Sequence, residues 1–493
     1  MSKPISEKGS NKDSLRSRIG KASINKKVDE EPEPTVAKPR LINNVQYKYK
    51  LYPGNNSLVI TQALRRRPWM NLSRDENDVA KKSYKANVGE CGETKNTADD
   101  AMDLDFIWEQ YRLAKRYKTN LYKDIVLNHI QGNPSLVTKK GLYFSLRKYC
   151  DKTGISLSDI VPRTYFLHCN GEDPSEQGEG RRDDSVEFSE YNQKVEDEVV
   201  WICKPSSLTN RGYGIVVLKG INPVLTLVNR ALTASPRPVD DGDEAEKPSM
   251  ESRKKRMAKK SGLKEGYIVQ EYLTKPLLVR GRKFDIRCYL LLHLDCSKNG
   301  DKKLKAYFHE HMYVRTSGKK YSLNDLEDKE CHLTNDAVQQ KCATYGKFEP
   351  GNKLSMNEWQ AQINKDYPGA PGDIVHSKII PRMKELTSIS ISATLDKLEK
   401  SSVKKSFELL GYDYMVSDDF QPLLIEVNSN PCLEFSCPML TRMIPDVIND
   451  MFKLSVDNLL PPPPEGSRTK NCEAIVASIL SEGNRFEELK IDR

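Results

Sequence analysis

The chain lacks any run of 18 or more apolar residues, any apolar segment near its start and any Cys-x-x-Cys spacing among its 11 cysteines. The first absence argues against a membrane-spanning helix. The opening MSKPISEKGSNKDSLRSR is polar and charged, so a secretory signal is not expected either. Cys432 and Cys437 are the closest cysteine pair, and no histidine lies near them in sequence. A disulfide scaffold and a structural zinc are therefore both disfavoured, and reduced cytosolic thiols are the default. Basic residues are not interleaved with aromatics in an RNA-binding pattern, and no internal repeat is evident. What the chain has is length and positive charge. Its 493 residues allow about two to four domains with sizeable cores. A net charge of +9 calls for an acidic partner, whether nucleic acid, an anionic membrane or an acidic protein tail, and composition alone does not choose among them.

Composition divides the chain. Residues 1–44 are polar and proline-containing, and disorder is expected there. Residues 45–198 read as a small N-terminal α/β domain and a helical region. Within them, QYKYKLY, SLVITQAL and RRRPWMNL suggest short strands and a helix, while Asp103 to Tyr117 and Thr138 to Tyr149 carry helical spacing. Residues 199–460 hold successive strand patterns, GYIVQEYL, FDIRCYLLLHL and KAYFHEHMYVRTS among them, with helices expected at 355–365, 376–400 and 439–458. A low-complexity insertion at 235–266 interrupts this block. Its RKKRMAKK run reads as a nuclear-import signal, as a dock for an acidic partner or as a solvated loop. Pro461 to Pro464 is expected to end the fold and leave 461–493 as a tail.

The densest signal is Phe407 to Pro431, FELLGYDYMVSDDFQPLLIEVNSNP. Two β-prone runs flank the polar turn Ser417-Asp418-Asp419, which predicts a hairpin. Glu426 and Asn428, two residues apart, share a strand face. A turn centred on Asp419-Phe420 places Asp413 opposite Glu426. Two carboxylates and an amide oxygen suit a hard cation such as Mg²⁺. A solvated strand end with acidic residues is the other reading.

Two further sets carry charge. Lys204 ends the apolar strand VVWIC and precedes the loop Ser206 to Gly214, whose backbone N–H groups could lie over phosphates. The Walker order is absent, and Gly212-Tyr213-Gly214 also fits an ordinary hairpin turn. Lys283, Asp285 and Arg287 alternate along GRKFDIRCYLLL and so share one strand face, which fits either a wet charged site or an exposed salt-bridge ladder. Arg315 could join that face from the next strand. Thr334 and Asn335 in CHLTN read by themselves as a turn.

These motifs in this order resemble the tubulin tyrosine ligase family, including its glutamylase and glycylase relatives. WICKPSSLTNRGYGI, YIVQEYLTKPLLVRGRKFDIRCYLL, YVRTS, CHLTNDAVQQK with YGKFEPGN, and FELLGYDYMV with LLIEVNSNPCL carry the likeness between about residues 199 and 460. The resemblance implies an α/β ATP-grasp fold with ATP between the central and C-terminal domains. It implies that Lys204 and the Arg211-Gly212 loop cover the phosphates. Gln270, Glu271, Tyr272 and Leu273 would form the hinge that holds adenine. Lys283 would contact phosphate, with Asp285, Thr334 and Asn335 lining the nucleotide site. Asp413, Glu426 and Asn428 would hold Mg²⁺, and Arg287 and Arg315 would face the acceptor tail or the acyl phosphate. The implied activity is ATP- and Mg²⁺-dependent ligation of a free amino acid to the acidic C-terminal tail of tubulin, in the cytoplasm at microtubules or cilia, with no nucleic-acid or membrane partner. The CHLTN block and the proline run put tyrosine slightly ahead as donor. NSNPCL, the N-terminal extension and the 235–266 insertion favour a glutamylase or glycylase. A catalytically inactive microtubule-binding relative is the alternative of another class.

Overall fold

The computed structural model describes residues 47–73, 103–168, 183–195, 198–206, 212–233, 266–296 and 302–493. The expected N-terminal extension, all of the 235–266 insertion but its last residue, and Arg211 lie outside the described residues.

The N-terminal segment forms strand β1 (Tyr47–Leu51), helix Ser57–Arg65, strand β2 (Met70–Leu72) and strand β3 (Phe106–Trp108). The helix expected over Asp103 to Tyr117 does not form. Phe106, Ile107 and Trp108 are buried on both faces of a parallel sheet, so their apolar residues run together and mimic a helical stripe. Only Ala114–Tyr117 turns, as a 3₁₀ helix, and the buried Arg116 there pairs with Glu109. Strand β4 (Val126–Leu127) leads to helix Lys139–Thr153, which is capped at its start by the Thr138 side chain and closed by Gly154 at φ +76°.

A four-stranded sheet follows, in the order β5 (Thr164–His168), β8 (Gly266–Glu271), β6 (Val200–Pro205), β7 (Val216–Lys219), with all neighbours antiparallel. One face packs Trp201, Cys203, Tyr267 and Val269 against Phe188 of helix Ser185–Lys194 and Val224 and Val228 of helix Ile221–Thr233. Alternation leaves Lys204, Ile268 and Gln270 on the other face.

The chain then enters the large sheet through β9 (Arg282–Cys296) and β10 (Lys302–Lys320). β11 (Lys353–Ser355), β12 (Ser406–Val416), β13 (Pro422–Asn428) and β14 (Phe486–Glu488) complete it. The order is β11-β10-β9-β12-β4-β3-β1-β2, with β13 on β12 and β14 on β10, so the N-terminal strands extend the same sheet as the C-terminal ones. Every residue of β9 from Arg282 to Leu294 is buried, which explains its nearly continuous apolar run. Phe284, Ile286, Cys288, Leu290 and Leu292 face a core closed by helices Lys139–Thr153, Met356–Asp366 and Ile380–Ser392. Tyr289 and Leu291 face a second core with Phe407, Leu409 and helix Pro438–Leu454. Lys283, Asp285 and Arg287 continue that second face, beyond the part the helix covers.

The proline run does not end the fold. Helix Lys470–Ser481 and β14 follow it, and Cys472, Val476, Ile479 and Phe486 are buried in the second core. The run stops one helix because proline lacks the N–H a helix needs, but nothing prevents a new element beyond it. A chain ending at Pro464 should therefore unfold at markedly lower urea than the full chain, because each large apolar side chain lost from the core removes about 1.5–3 kcal/mol. Equal urea midpoints would show that these residues do not support the core.

Candidate active site

The site begins with the hairpin. Its loop is Asp418-Asp419-Phe420, closed by Ser417 N–H to Gln421 O at 3.0 Å, with Phe420 at φ +62°. This three-residue turn centres on Asp419, half a residue short of the position that pairs Asp413 with Glu426. Next to the loop, Val416 pairs with Pro422 and Tyr414 with Leu424; a bulge follows, and Asp413 then pairs with Glu426 and Gly411 with Asn428. Ile425 is the extra residue. It lets Leu424 and Val427 both enter the apolar core while Glu426 stands on the opposite face with Asp413.

Asp413 is almost fully buried and faces two guanidinium groups. Arg287 Nε and Nη2 donate to its two oxygens, the latter at 2.9 Å, and Arg315 Nη2 lies 2.9 Å from Oδ2. Arg315 also makes a two-pronged pair with Asp285, Nε to Oδ1 at 2.6 Å and Nη2 to Oδ2 at 2.7 Å, and Thr334 Oγ1 donates to Asp285. Burial pushes the Asp413 carboxyl up, but Arg287 and Arg315 outweigh it and hold the group well below the usual carboxylate range. The charged face of β9 is thus a buried, mutually neutralising network rather than an exposed ladder. Arg287 and Arg315, expected to face the acceptor, both contact Asp413 here.

Asn428 joins the acids. Its Nδ2 lies 3.3 Å from Asp413 Oδ2 and 3.3 Å from Glu426 Oε1. The amide's polar end therefore sits between the two carboxylates, and turned about its χ2 axis it would offer oxygen there. Two carboxylates and an amide oxygen converging on one point fit a hard divalent cation.

Two lysines stand opposite. Lys204 Nζ donates to Gln270 Oε1 at 2.8 Å, and Gln270 Nε2 donates to Thr164 Oγ1 at 2.9 Å. Lys283 Nζ donates to Tyr272 OH at 2.7 Å and His332 O at 3.2 Å, and lies 4.1 Å from the centre of the Tyr272 ring. Burial is the main cause that lowers Lys204 to about 8, with Glu426 acting against it. Burial and then the nearby Lys204 lower Lys283 to about 7. Lys204 and Lys283, one from each sheet, thus act on each other's charge, and Glu426 acts on Lys204.

The segment expected as a hinge, Gln270 to Leu273, leads from β8 towards β9. Gln270 and Glu271 end β8, Glu271 N–H donates to Arg163 O and Tyr272 N–H to Val200 O, and Leu273 O accepts from Tyr321 OH at 3.4 Å. Gln270 is engaged through its side chain as well as its backbone, which the motif did not indicate. Gly212, at φ +73°, lies beside Leu333 of the CHLTN block and Val338. Asn335 begins the short helix Asp336–Gln339 and makes no side-chain cap bond. Sequence reading missed Thr164, His332 and Asn56 (described below). Thr164 acts through Gln270, from a segment with no motif of its own, whereas His332 lies within CHLTN, accepts from Lys283 through its backbone oxygen and bonds the Tyr272 hydroxyl through Nδ1. Among the described residues, no group of three or more His, Cys, Asp or Glu residues could hold a metal; the set expected to hold a cation has an asparagine as its third member. No helix of the described residues is long and apolar enough to cross a membrane.

Two sheets meeting at a cluster of lysines, acids and arginines match the expected ATP-grasp arrangement, and sequence comparison agrees with it. The model of the tubulin-tyrosine ligase family matches residues 116–466. The chain is 32% identical over 269 residues to tubulin glycylase 3D of Tetrahymena thermophila, covering 54% of this chain and 22% of that protein. It is 29% identical over 268 residues to tubulin monoglycylase TTLL3 of Homo sapiens, covering 54% and 30%. It is 26% identical over 370 residues to protein polyglycylase TTLL10 of Rattus norvegicus, covering 72% and 48%. The chain thus spans less than half the length of each of these relatives. Because the family match covers more than half of the sequence and includes both sheets' site residues, the chain belongs to the tubulin-tyrosine ligase family.

Proposed function

We propose that this chain is an ATP- and Mg²⁺-dependent ligase that joins glycine to a glutamate side chain in an acidic tail of tubulin. The observation that carries the reading is the convergence of Asp413, Glu426 and Asn428 opposite the buried Lys204 and Lys283. The relatives' names favour glycine as donor over tyrosine, which the CHLTN block and the proline run put slightly ahead. Two of those names specify tubulin and one says only protein, so tubulin is the first acceptor to test.

A carboxylate is a poor acyl donor and must first be converted by ATP to an acyl phosphate. A carboxylate oxygen takes the γ-phosphoryl group and ADP leaves; the neutral glycine amine then attacks the acyl carbon, its surplus proton passes to solvent, and phosphate leaves with the bonding pair of the broken C–O bond. Bound Mg²⁺ would neutralise phosphate charge as the γ-phosphoryl moves. Lys204 and Lys283 would hold the phosphates from the opposite side, as preorganised charges in a water-poor site. Arg287 and Arg315 would exchange Asp413 for the acceptor carboxylate, which a guanidinium grips with two bonds. Net positive charge would steer the acidic tail. A microtubule-associated cytoplasmic location follows from that acceptor, and the basic run within 235–266 leaves nuclear entry open to a localisation assay.

Incorporation of labelled glycine, tyrosine and glutamate into purified tubulin, with ATP and Mg²⁺ and with Glu426→Gln protein as the blank, tests the proposal. Label from glycine alone is expected. Label from tyrosine alone would overturn the donor, and none from any would overturn the proposal for tubulin.

The lysines give a pH prediction. In the free protein near pH 8 both titrate, and bound polyphosphate favours their charged forms. Binding of a non-hydrolysable ATP analogue at pH 8 should therefore take up protons, and at pH 6 it should take up far fewer. Calorimetry in two buffers of different ionisation enthalpy reads this, and a buffer-independent enthalpy at pH 8 would count against the phosphate role. The same lysines bind protons more readily in the unfolded chain, so their contribution to stability rises with pH from about 7 towards the ordinary lysine value of 10.5.

A further inference from the structure

We propose that Asn56 is a positioning residue for the cation-binding hairpin, acting from the N-terminal segment through the loop that follows Asn428. The inference rests on the reading of Asp413, Glu426 and Asn428 given above. Asn56 is buried and immediately precedes helix Ser57–Arg65, a place where asparagine ordinarily caps the helix with its side chain. Here it makes no such bond. Its carboxamide is turned to the loop instead. Nδ2 donates to Asn430 Oδ1 at 2.9 Å and to Pro431 O at 2.9 Å, while Oδ1 accepts from Leu433 N–H at 3.2 Å. One side chain thus holds residues 430 to 433, beginning two residues after Asn428.

The loop in turn presses on the site. Gly411 pairs with Asn428 across the hairpin. A Cβ at Gly411 would lie 2.9 Å from Pro431 Cβ and 3.3 Å from both Cδ and Nε of Arg287. Pro431 and the Arg287 stem therefore share the surface of this glycine. Arg287 Nε is the atom that donates to Asp413. A continuous line of contact runs from Asn56 through Pro431 and Gly411 to Arg287 and Asp413, and from the same loop directly back along the chain to Asn428. Packed contacts and hydrogen bonds of this sort fix the orientation of ligands that they do not themselves replace.

The test uses the full chain and reads Mn²⁺ by electron paramagnetic resonance in the presence of a non-hydrolysable ATP analogue, beside ligation kinetics and thermal unfolding. Asn56→Ala should weaken Mn²⁺ binding and lower kcat by about tenfold each, with KM for ATP changed by less than about twofold. Leu58→Ala, on the exposed side of the same helix, should leave all three at wild-type values. Asn56→Asp keeps the acceptor for Leu433 N–H but loses both donors, and it is read in the same way where the alanine protein fails to fold. Wild-type Mn²⁺ affinity and kcat in a folded Asn56 variant would overturn this inference alone, even with reduced stability. A wild-type protein that takes up no Mn²⁺ would overturn the proposed function and this inference with it.

Discussion

Glu426→Gln should abolish ligation, by at least about 100-fold, and leave the fold intact. Glutamine keeps the volume and one oxygen of the side chain but removes the charge that faces Asn428 and acts on Lys204. Glu426 is only partly buried and takes no part in the arginine pairs, so its loss strands no buried charge. The expected signature is a near-total loss of kcat with an unfolding midpoint at the wild-type value. Ligation at an undiminished rate would remove Glu426 from the cation site. Loss of activity accompanied by loss of fold would make its role structural.

Arg315→Ala should do the opposite and destabilise the protein as well as inactivate it. Arg315 serves two buried carboxylates, Asp285 and Asp413. Its removal leaves Asp285 with the Thr334 hydroxyl and Asp413 with Arg287 and the Asn428 amide. Breaking a buried pair by removing one partner typically costs about 3–5 kcal/mol, because the remaining charge stays desolvated. Arg315→Lys should recover little, since a lysine cannot reproduce the two-pronged geometry that reaches both acids. Urea unfolding of the three proteins measures the effect. A wild-type midpoint for the alanine variant would mean that water already satisfies these carboxylates.

Much of the site was legible in the sequence because it lies on regular strands. Strand alternation is a local property, so Lys283, Asp285 and Arg287 had to share a face, as did Glu426 with Asn428. The Lys204 strand, the Gln270 to Leu273 hinge and the long helices at 139–153, 356–366 and 438–454 carry their patterns in adjacent residues and formed close to where expected. Asp103 to Tyr117 misled because burial on both faces erases alternation, and the apolar run of β3 then looks helical.

The sequence by itself determined the family, the α/β class and the set of residue types that carry charge into the site. Those depend on composition and on spacings of two to four residues, which a chain cannot alter by folding. The tertiary structure decided how these residues meet. The Ile425 bulge brings Glu426 to Asp413 from a turn centred half a residue away, because both Leu424 and Val427 must enter the core. Burial, not motif, turned the charged face of β9 into a neutralised network. Two joins were also invisible locally: β14 onto β10, and Asn56 onto the loop at 430–433. Each links segments more than 170 residues apart, and only the packing of the whole sheet sets such contacts.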